Sequence, residues 1–153
     1  HGVGDDGLCW TTVAAALAPS FDVVMADARG HGRSDAPLTG YGPAEQAADL
    51  AGLIAALGLE RPVVLGHSMG AMTTLMLAGT APESPRAILL EDPPPWWAQA
   101  GAPTPAEGER RAAMRAGMAE LKRRTRDELL AGQRAAAPNW PADELQRWAD
   151  SKI

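Results

Sequence analysis

The chain has 153 residues, a formal net charge of −5 and a single cysteine, Cys9. The acidic balance, with arginine clustered only at residues 110–126, argues against a nucleic-acid-binding surface. One cysteine excludes an internal disulfide and favours a cytoplasmic protein, and no apolar run approaches the ~20 residues of a membrane span. We expect Cys9, between Leu8 and Trp10, to be a small buried side chain.

Short apolar runs alternate with helical patterns in the first part of the chain. The predicted strands cover residues 21–26, 62–65 and 87–90. The predicted helices cover residues 10–18, 43–57 and 69–79, and the second begins at Pro43 and ends before Gly58. Its buried face is predicted to carry Ala47, Leu50, Ile54 and Leu57. This alternation predicts an α/β fold with a parallel sheet covered by helices.

The pattern changes after Glu91 and Asp92, where three prolines follow. Residues 98–108 show no periodicity and predict a loop. Helices are predicted over residues 106–123, 126–133 and 142–151, and Thr125 with Glu128 has the spacing of a capping box. Met114, Met118 and Leu121 follow helical spacing, which favours packing within this helical segment.

The segment Gly66-His67-Ser68-Met69-Gly70 lies between a predicted strand and a predicted helix. This is the context of a nucleophile elbow, Gly-x-Ser-x-Gly. Glycine at 66 and 70 would relieve collisions with the strand and the helix and leave the Ser68 hydroxyl exposed. The helix that follows would direct its free N–H groups towards the same place.

Two further segments accompany this motif. The chain opens with His1-Gly2-Val3-Gly4, and residues 27–34 are Asp-Ala-Arg-Gly-His-Gly-Arg-Ser. In this order, the three motifs resemble the α/β-hydrolase superfamily over residues 1–92. The resemblance implies that the main-chain N–H groups of Val3 and Met69 form an oxyanion hole and that residues 27–34 shape a loop beside the active site. Gly30 and Gly32 would supply backbone angles that side chains forbid. We expect Asp27 and Arg29 to tie this loop together rather than to touch the substrate.

The resemblance also implies the domain organisation. Residues 1–92 would be a partial α/β-hydrolase core, and residues 93–153 a helical cap or lid, incomplete here, over the carboxyl ends of the strands near Ser68. Trp96 and Trp97 would line the substrate pocket at the entrance to the cap. Trp10 has two interpretations, as a pocket residue or as core packing under the oxyanion loop.

A serine nucleophile needs a base, usually a histidine oriented by a carboxylate. The three histidines, His1, His31 and His67, each occupy a motif position. In the family the base follows the last strand, so we expect the catalytic histidine to lie beyond this chain. The chain also begins without Met and inside a motif, which predicts a fragment truncated at both ends. Asp92, with Glu91 beside it, is a candidate acid at the end of the sixth strand, or alternatively caps the turn into the prolines.

These features predict a serine hydrolase that cleaves an ester, a lactone or a related carbonyl compound through an acyl-enzyme. The expected partner is a small-molecule substrate, with no metal, no organic cofactor, no nucleic acid and no membrane. The alternative is a non-catalytic relative that keeps the pocket and binds a ligand without turnover. An aspartate-nucleophile enzyme is disfavoured because position 68 is serine.

Overall fold

A computed structural model describes residues 1–95 and 104–153. Trp96 and Trp97, two of the predicted pocket residues, lie outside the described residues. The chain divides into two units, His1–Trp96 and Trp97–Ile153, which we describe separately. No helix in the described parts of the chain is long and apolar enough to cross a membrane.

The first unit contains a β-α-β arrangement preceded by helices. Its elements are a 3-10 helix (Gly7–Trp10), α1 (Thr11–Leu17), α2 (Pro43–Ala56), β1 (Val63–His67), α3 (Met69–Thr80) and β2 (Ala87–Glu91). Pro43 occupies the first turn of α2, and Gly58 follows the helix with φ +63°. Both signals were predicted from the sequence, and both act locally: proline presets the helical φ and glycine accepts a left-handed φ.

The strands β1 and β2 are parallel, which confirms the predicted sheet type. Their register runs from Val63 opposite Ala87 to His67 opposite Glu91. The carboxyl ends of both strands therefore meet at one edge of the sheet, where the Ser68 N–H donates to the Glu91 carbonyl at 3.0 Å. The parallel pairing thus places the turn after β1 beside the end of β2.

The core of this unit lies between α2, α3 and β1. Ala47, Ile54 and Leu77 are buried, and Leu50 and Val64 pack against them. The predicted face of α2 is confirmed except at Leu57, which is 50% exposed. Leu57 follows the last residue of α2 as its carboxyl-terminal cap, where the packed helix ends.

The predicted strand at residues 21–26 is wrong as a sheet element. A strand exists only where its backbone pairs with a neighbour, and within the described residues the sheet consists of β1 and β2 alone. Phe21, Val23 and Val24 are instead exposed. The end of the segment still packs against the chain, because a Cβ at Gly7 would lie 2.8 Å from the Met25 carbonyl oxygen.

The expected burial of Cys9 is also wrong, since its side chain is exposed. The 3-10 helix buries Gly7 against residues 25–27. This orientation leaves Leu8, 48% exposed, and Cys9 on the outer side of the helix.

The second unit is helical, with α4 (Pro105–Leu121), α5 (Arg126–Ala136) and α6 (Ala142–Asp150). The helices α5 and α6 pack together through buried Leu129, Leu145 and Ala149. On the surface of this pair, Arg126 donates to Asp150 at 2.6 Å.

Capping boxes begin two of these helices. Thr125 and Glu128 form the predicted box at α5, and Thr104 and Glu107 form a second box at α4. The second box starts α4 at Pro105, within the stretch that the sequence predicted to be a loop. Within the described residues no side chain of α4 is fully buried. Met114 is 51% exposed, so the packing expected of it is not seen, whereas Met118 and Leu121 are half-buried.

Candidate functional site

Ser68 lies in the turn between β1 and α3 with φ +50° and ψ −110°. Serine rarely adopts a positive φ, and such a conformation costs about 1–3 kcal/mol. The bond from the Ser68 N–H to the Glu91 carbonyl and the first-turn bonds from Ala71 and Met72 to the Ser68 carbonyl hold the residue in place. The strand and the helix together therefore impose the strained conformation on this serine.

Two close backbone approaches surround Ser68. The approach at Gly66, between strand and helix, was predicted from the glycine motif, whereas at Gly70 the close neighbour is the N-terminal segment. A Cβ at Gly66 would overlap the Gly70 carbonyl and lie 2.6 Å from Thr74 Oγ1. A Cβ at Gly70 would lie 3.0 Å from the main-chain N and O atoms of His1. The first glycine therefore lets the helix approach the strand, and the second lets the N-terminal segment approach the helix.

The segment at residues 1–7 is joined to the first turn of α3. The Gly70 N–H donates to the His1 carbonyl at 3.1 Å, and Gly4 has φ +80° immediately after Val3. Across the described residues, neither the Val3 amide nor the Met69 amide donates a hydrogen bond. The Met69 N–H is the first of the free N–H groups at the start of α3.

The loop at residues 27–34 is held by the two side chains predicted to tie it together. The Asp27 carboxylate accepts from the Gly7 N–H at 2.6 Å and from the Arg33 N–H at 3.0 Å. Arg29 forms a bidentate pair with Asp49 of α2, with both N···O distances 2.5 Å. The hydrogen bonds from Arg29 lower the pKa of Asp49.

Both predicted glycines of this loop have positive φ, +75° at Gly30 and +51° at Gly32. A Cβ at Gly30 would lie 2.6 Å from the ring of Tyr41, and one at Gly32 would overlap the Asp27 carboxylate. The expectation that these positions require glycine is confirmed.

Each of the three histidines has contacts away from Ser68. His1 is buried, with its Nε2 2.9 Å from the Ala28 amide nitrogen, and the His31 ring lies edge-on to it at 5.1 Å between centroids. The His67 ring lies against Gly2, whose Cβ position is 3.1 Å from His67 Nδ1. Among the described residues, no histidine is hydrogen-bonded to Ser68.

The other candidate residues are placed but not joined into a triad. Asp92 follows β2, is exposed and has φ +42°, a conformation that aspartate tolerates better than most residues. Trp10 is half-buried at the end of the 3-10 helix. Within residues 1–95 and 104–153, no three His, Cys, Asp or Glu side chains are grouped so that they could hold a metal ion.

Sequence reasoning missed the bonds that join separate segments around the site. The His1 imidazole bonded to Ala28 and the Gly7 amide bonded to Asp27 connect residues 27 and 20 positions apart. The sequence offered one signal for these contacts, namely that the motif at residues 1–4 and the motif at residues 27–34 occur in the same chain.

Comparisons with known proteins identify the family to which the chain belongs. The sequence profile described as alpha/beta hydrolase fold matches residues 1–150. The 2-(acetamidomethylene)succinate hydrolase of Mesorhizobium japonicum is 33% identical over 63% of this chain and 34% of its own length. The 3-hydroxybutyrate-oligomer hydrolase of Cupriavidus necator is 40% identical over 60% of this chain and 32% of its own length.

A crystal structure of the N-formylmaleamic acid deformylase of Pseudomonas putida S16 superposes with a TM-score of 0.73. The two chains are 30% identical, and the match covers 99% of this chain and 56% of the other. This chain thus spans about a third of the length of the curated relatives and just over half of the solved structure. The chain belongs to the alpha/beta hydrolase fold family, and the two curated relatives described above are named as hydrolases.

Proposed function

We propose that the protein is a serine-dependent hydrolase that cleaves an ester, a lactone or a related carbonyl compound through an acyl-enzyme, with Ser68 as nucleophile. The observation that carries this proposal is the backbone of Ser68, with φ +50° between β1 and α3. This strain has a chemical use, because a serine at the tip of so tight a turn presents its hydroxyl clear of the strand and the helix.

The Val3 and Met69 amides would form the oxyanion hole. As Ser68 Oγ attacks the carbonyl carbon, the carbonyl oxygen gains negative charge, which two N–H groups without other acceptors can stabilise. The Met69 N–H also lies at the positive end of α3, which favours an anion. The Gly70–His1 hydrogen bond supports the proposal because it connects the two segments that supply these donors.

The base that deprotonates Ser68 would be a histidine from another part of the full-length protein. His1, His31 and His67 make the packing and hydrogen-bond contacts described above, and each is fixed within a structural motif. Asp92 at the end of β2 is a candidate for the carboxylate that orients this histidine. Water would then release the acyl group with the same histidine as base.

The names of the relatives support a proposed substrate class for this protein that includes amides as well as esters. Oligomers of 3-hydroxybutyrate are joined by ester bonds, whereas acetamido and N-formyl groups contain a carbonyl bound to nitrogen. Attack by a serine and loss of an oxygen or nitrogen leaving group is common to both. We propose that residues 93–153 take part in selecting among such substrates and that Trp10 lines the substrate pocket.

The test is covalent labelling of the full-length protein with a fluorophosphonate, which reacts with activated serines. Wild-type protein should be labelled at Ser68, and Ser68→Ala should not be labelled. Turnover of a p-nitrophenyl ester should fall by about 10⁴-fold or more in Ser68→Ala. Equal labelling of the two proteins would overturn the assignment of the nucleophile, and labelling without turnover of any ester or amide would favour a ligand-binding relative.

A further inference from the structure

The segment that carries Val3 is held on both sides by two adjacent residues of the loop at 27–34. Before Val3, the His1 imidazole accepts the Ala28 N–H at 2.9 Å. After Val3, the Gly7 N–H donates to the Asp27 carboxylate at 2.6 Å. The Val3 amide therefore lies between two anchors on one short stretch of backbone, whereas its side chain is 41% exposed.

The contacts of the His1 ring define a single tautomer. Nε2 must carry a lone pair to accept the Ala28 N–H, so the ring proton is on Nδ1, which donates to the Gly2 carbonyl at 2.9 Å. His1 is only 8% exposed, and the edge of the His31 ring lies against it. Loss of the Nε2 acceptor would leave the Ala28 N–H without its partner in a partly buried place.

The backbone of His1 contacts the other half of the site. Its carbonyl accepts from the Gly70 N–H at 3.1 Å, and a Cβ at Gly70 would come within 3.0 Å of it. Residue 1 thus links the loop at 27–34 through its side chain with the first turn of α3 through its main chain. One residue connects the two segments that supply the Val3 and Met69 amides.

We propose that His1 is a positioning residue, which with Asp27 fixes the Val3 amide where the oxyanion of the substrate develops. The expected effect on catalysis rests on the proposed function, whereas the anchoring of the Val3 segment by His1 does not. An oxyanion donor acts only when it is already in place, so looseness at Val3 should lower kcat and leave KM nearly unchanged.

Three variants of the full-length protein test this proposal. His1→Phe keeps a flat ring but removes the acceptor, and His1→Gln returns a side-chain oxygen near the position of Nε2. Ile54→Ala, which opens a cavity in the core of α2 away from the loop, is the control for a general loss of stability. Amide hydrogen exchange of residues 2–8 reports the loop directly, and steady-state kinetics report its effect.

His1→Phe should exchange its residue 2–8 amides about tenfold faster than wild type and lose about 10- to 100-fold in kcat at unchanged KM. His1→Gln should recover most of both losses, and Ile54→Ala should change neither the exchange of residues 2–8 nor kcat. The proposal is overturned if His1→Phe leaves the exchange unchanged, if its kcat equals that of Ile54→Ala, or if His1→Gln is no better than His1→Phe. If Ser68→Ala keeps wild-type turnover, the proposed function fails, while the exchange experiment still decides whether His1 fixes the loop.

Discussion

At the scale of single residues, the strained backbone of Ser68 depends on the glycines at positions 66 and 70. Ser68 holds a positive φ that the strand and the helix impose, and Gly66 and Gly70 permit the close approaches that create this constraint. Strain of this kind persists only where the surrounding structure determines it. The hydrogen bond from the Ser68 N–H to the Glu91 carbonyl is one such determinant, since it attaches the turn to the neighbouring strand.

Gly66→Ala should therefore destabilise the protein by about 1–3 kcal/mol and displace Ser68. The added Cβ would meet the Gly70 carbonyl, which is backbone and cannot move without distorting the first turn of α3. Gly79→Ala, in α3, is the control, because nothing lies within 4 Å of a Cβ added at Gly79. It should be neutral or stabilise the protein by about 0.5–1 kcal/mol. Thermal unfolding of the two variants measures the difference, and equal melting temperatures would contradict the packing argument.

At the scale of elements, the ends of helices could be predicted from local signals, whereas the pairing of distant segments could not. Pro43 and Gly58 mark the two ends of α2, and Thr125 with Glu128 marks the start of α5. These ends were predictable because each signal acts within a few residues. Thr104 and Glu107 carry the same signal for α4, although it was missed among surrounding Pro, Gly and Ala. Residues 21–26, apolar except for Asp22, have the pattern of a strand, yet a strand also needs a neighbour to pair with, which the local sequence does not specify.

In the candidate site, too, features that are local in sequence could be predicted and contacts between distant segments could not. The motif at residues 66–70 predicted the turn, its glycines and the helix that follows, since all of these features are adjacent in sequence. The bonds from His1 to Ala28 and from Gly7 to Asp27 depend on how distant segments meet, so they became visible only in the structure.

The capping box of α5 predicts a dependence of helix stability on pH. The hydrogen bonds from the Thr125 backbone and hydroxyl to the Glu128 carboxylate lower the pKa of Glu128. A pKa that is lower in the folded state stabilises the fold above the unfolded pKa of about 4.3, and this contribution is lost as the pH falls through the lower folded value. Protection of the first α5 amides should therefore decrease from pH 6 to pH 3.

Glu128→Gln should remove most of this pH dependence, because glutamine does not ionise in that range. Glu109→Gln, at an exposed position of α4 outside its capping box, should leave the α5 profile as in wild type. Hydrogen exchange of the full-length protein measures both profiles. An unchanged pH profile in Glu128→Gln would show that the capping box does not control the acid response.

At the scale of the whole molecule, the sheet of the first unit exposes apolar side chains. Val63 and Leu65 of β1 and Leu89 of β2 are 41%, 38% and 52% exposed, and the register places Leu65 opposite Leu89. In a parallel sheet of this fold class both faces are normally covered by helices. In the described part of the first unit, these apolar sheet residues are therefore in contact with water.

A polypeptide of residues 1–153 should consequently unfold without a sharp calorimetric transition and should show no turnover of p-nitrophenyl acetate above its Ser68→Ala variant. The first expectation follows from the exposed sheet residues, and the second from the absence of a histidine bonded to Ser68 among the described residues. Calorimetry and an esterase assay of the two polypeptides test them. A cooperative transition with turnover that depends on Ser68 would contradict this prediction.

The most direct test of the central claim is to trap the acyl-enzyme. The full-length protein is mixed with an activated ester, quenched in acid within one turnover, digested and analysed by mass spectrometry. The account predicts that the peptide containing Ser68 gains the mass of the acyl group, and that Ser68→Ala gains none. Rapid release of the leaving group with no acylated peptide in wild-type protein, or acylation at another residue, would contradict it.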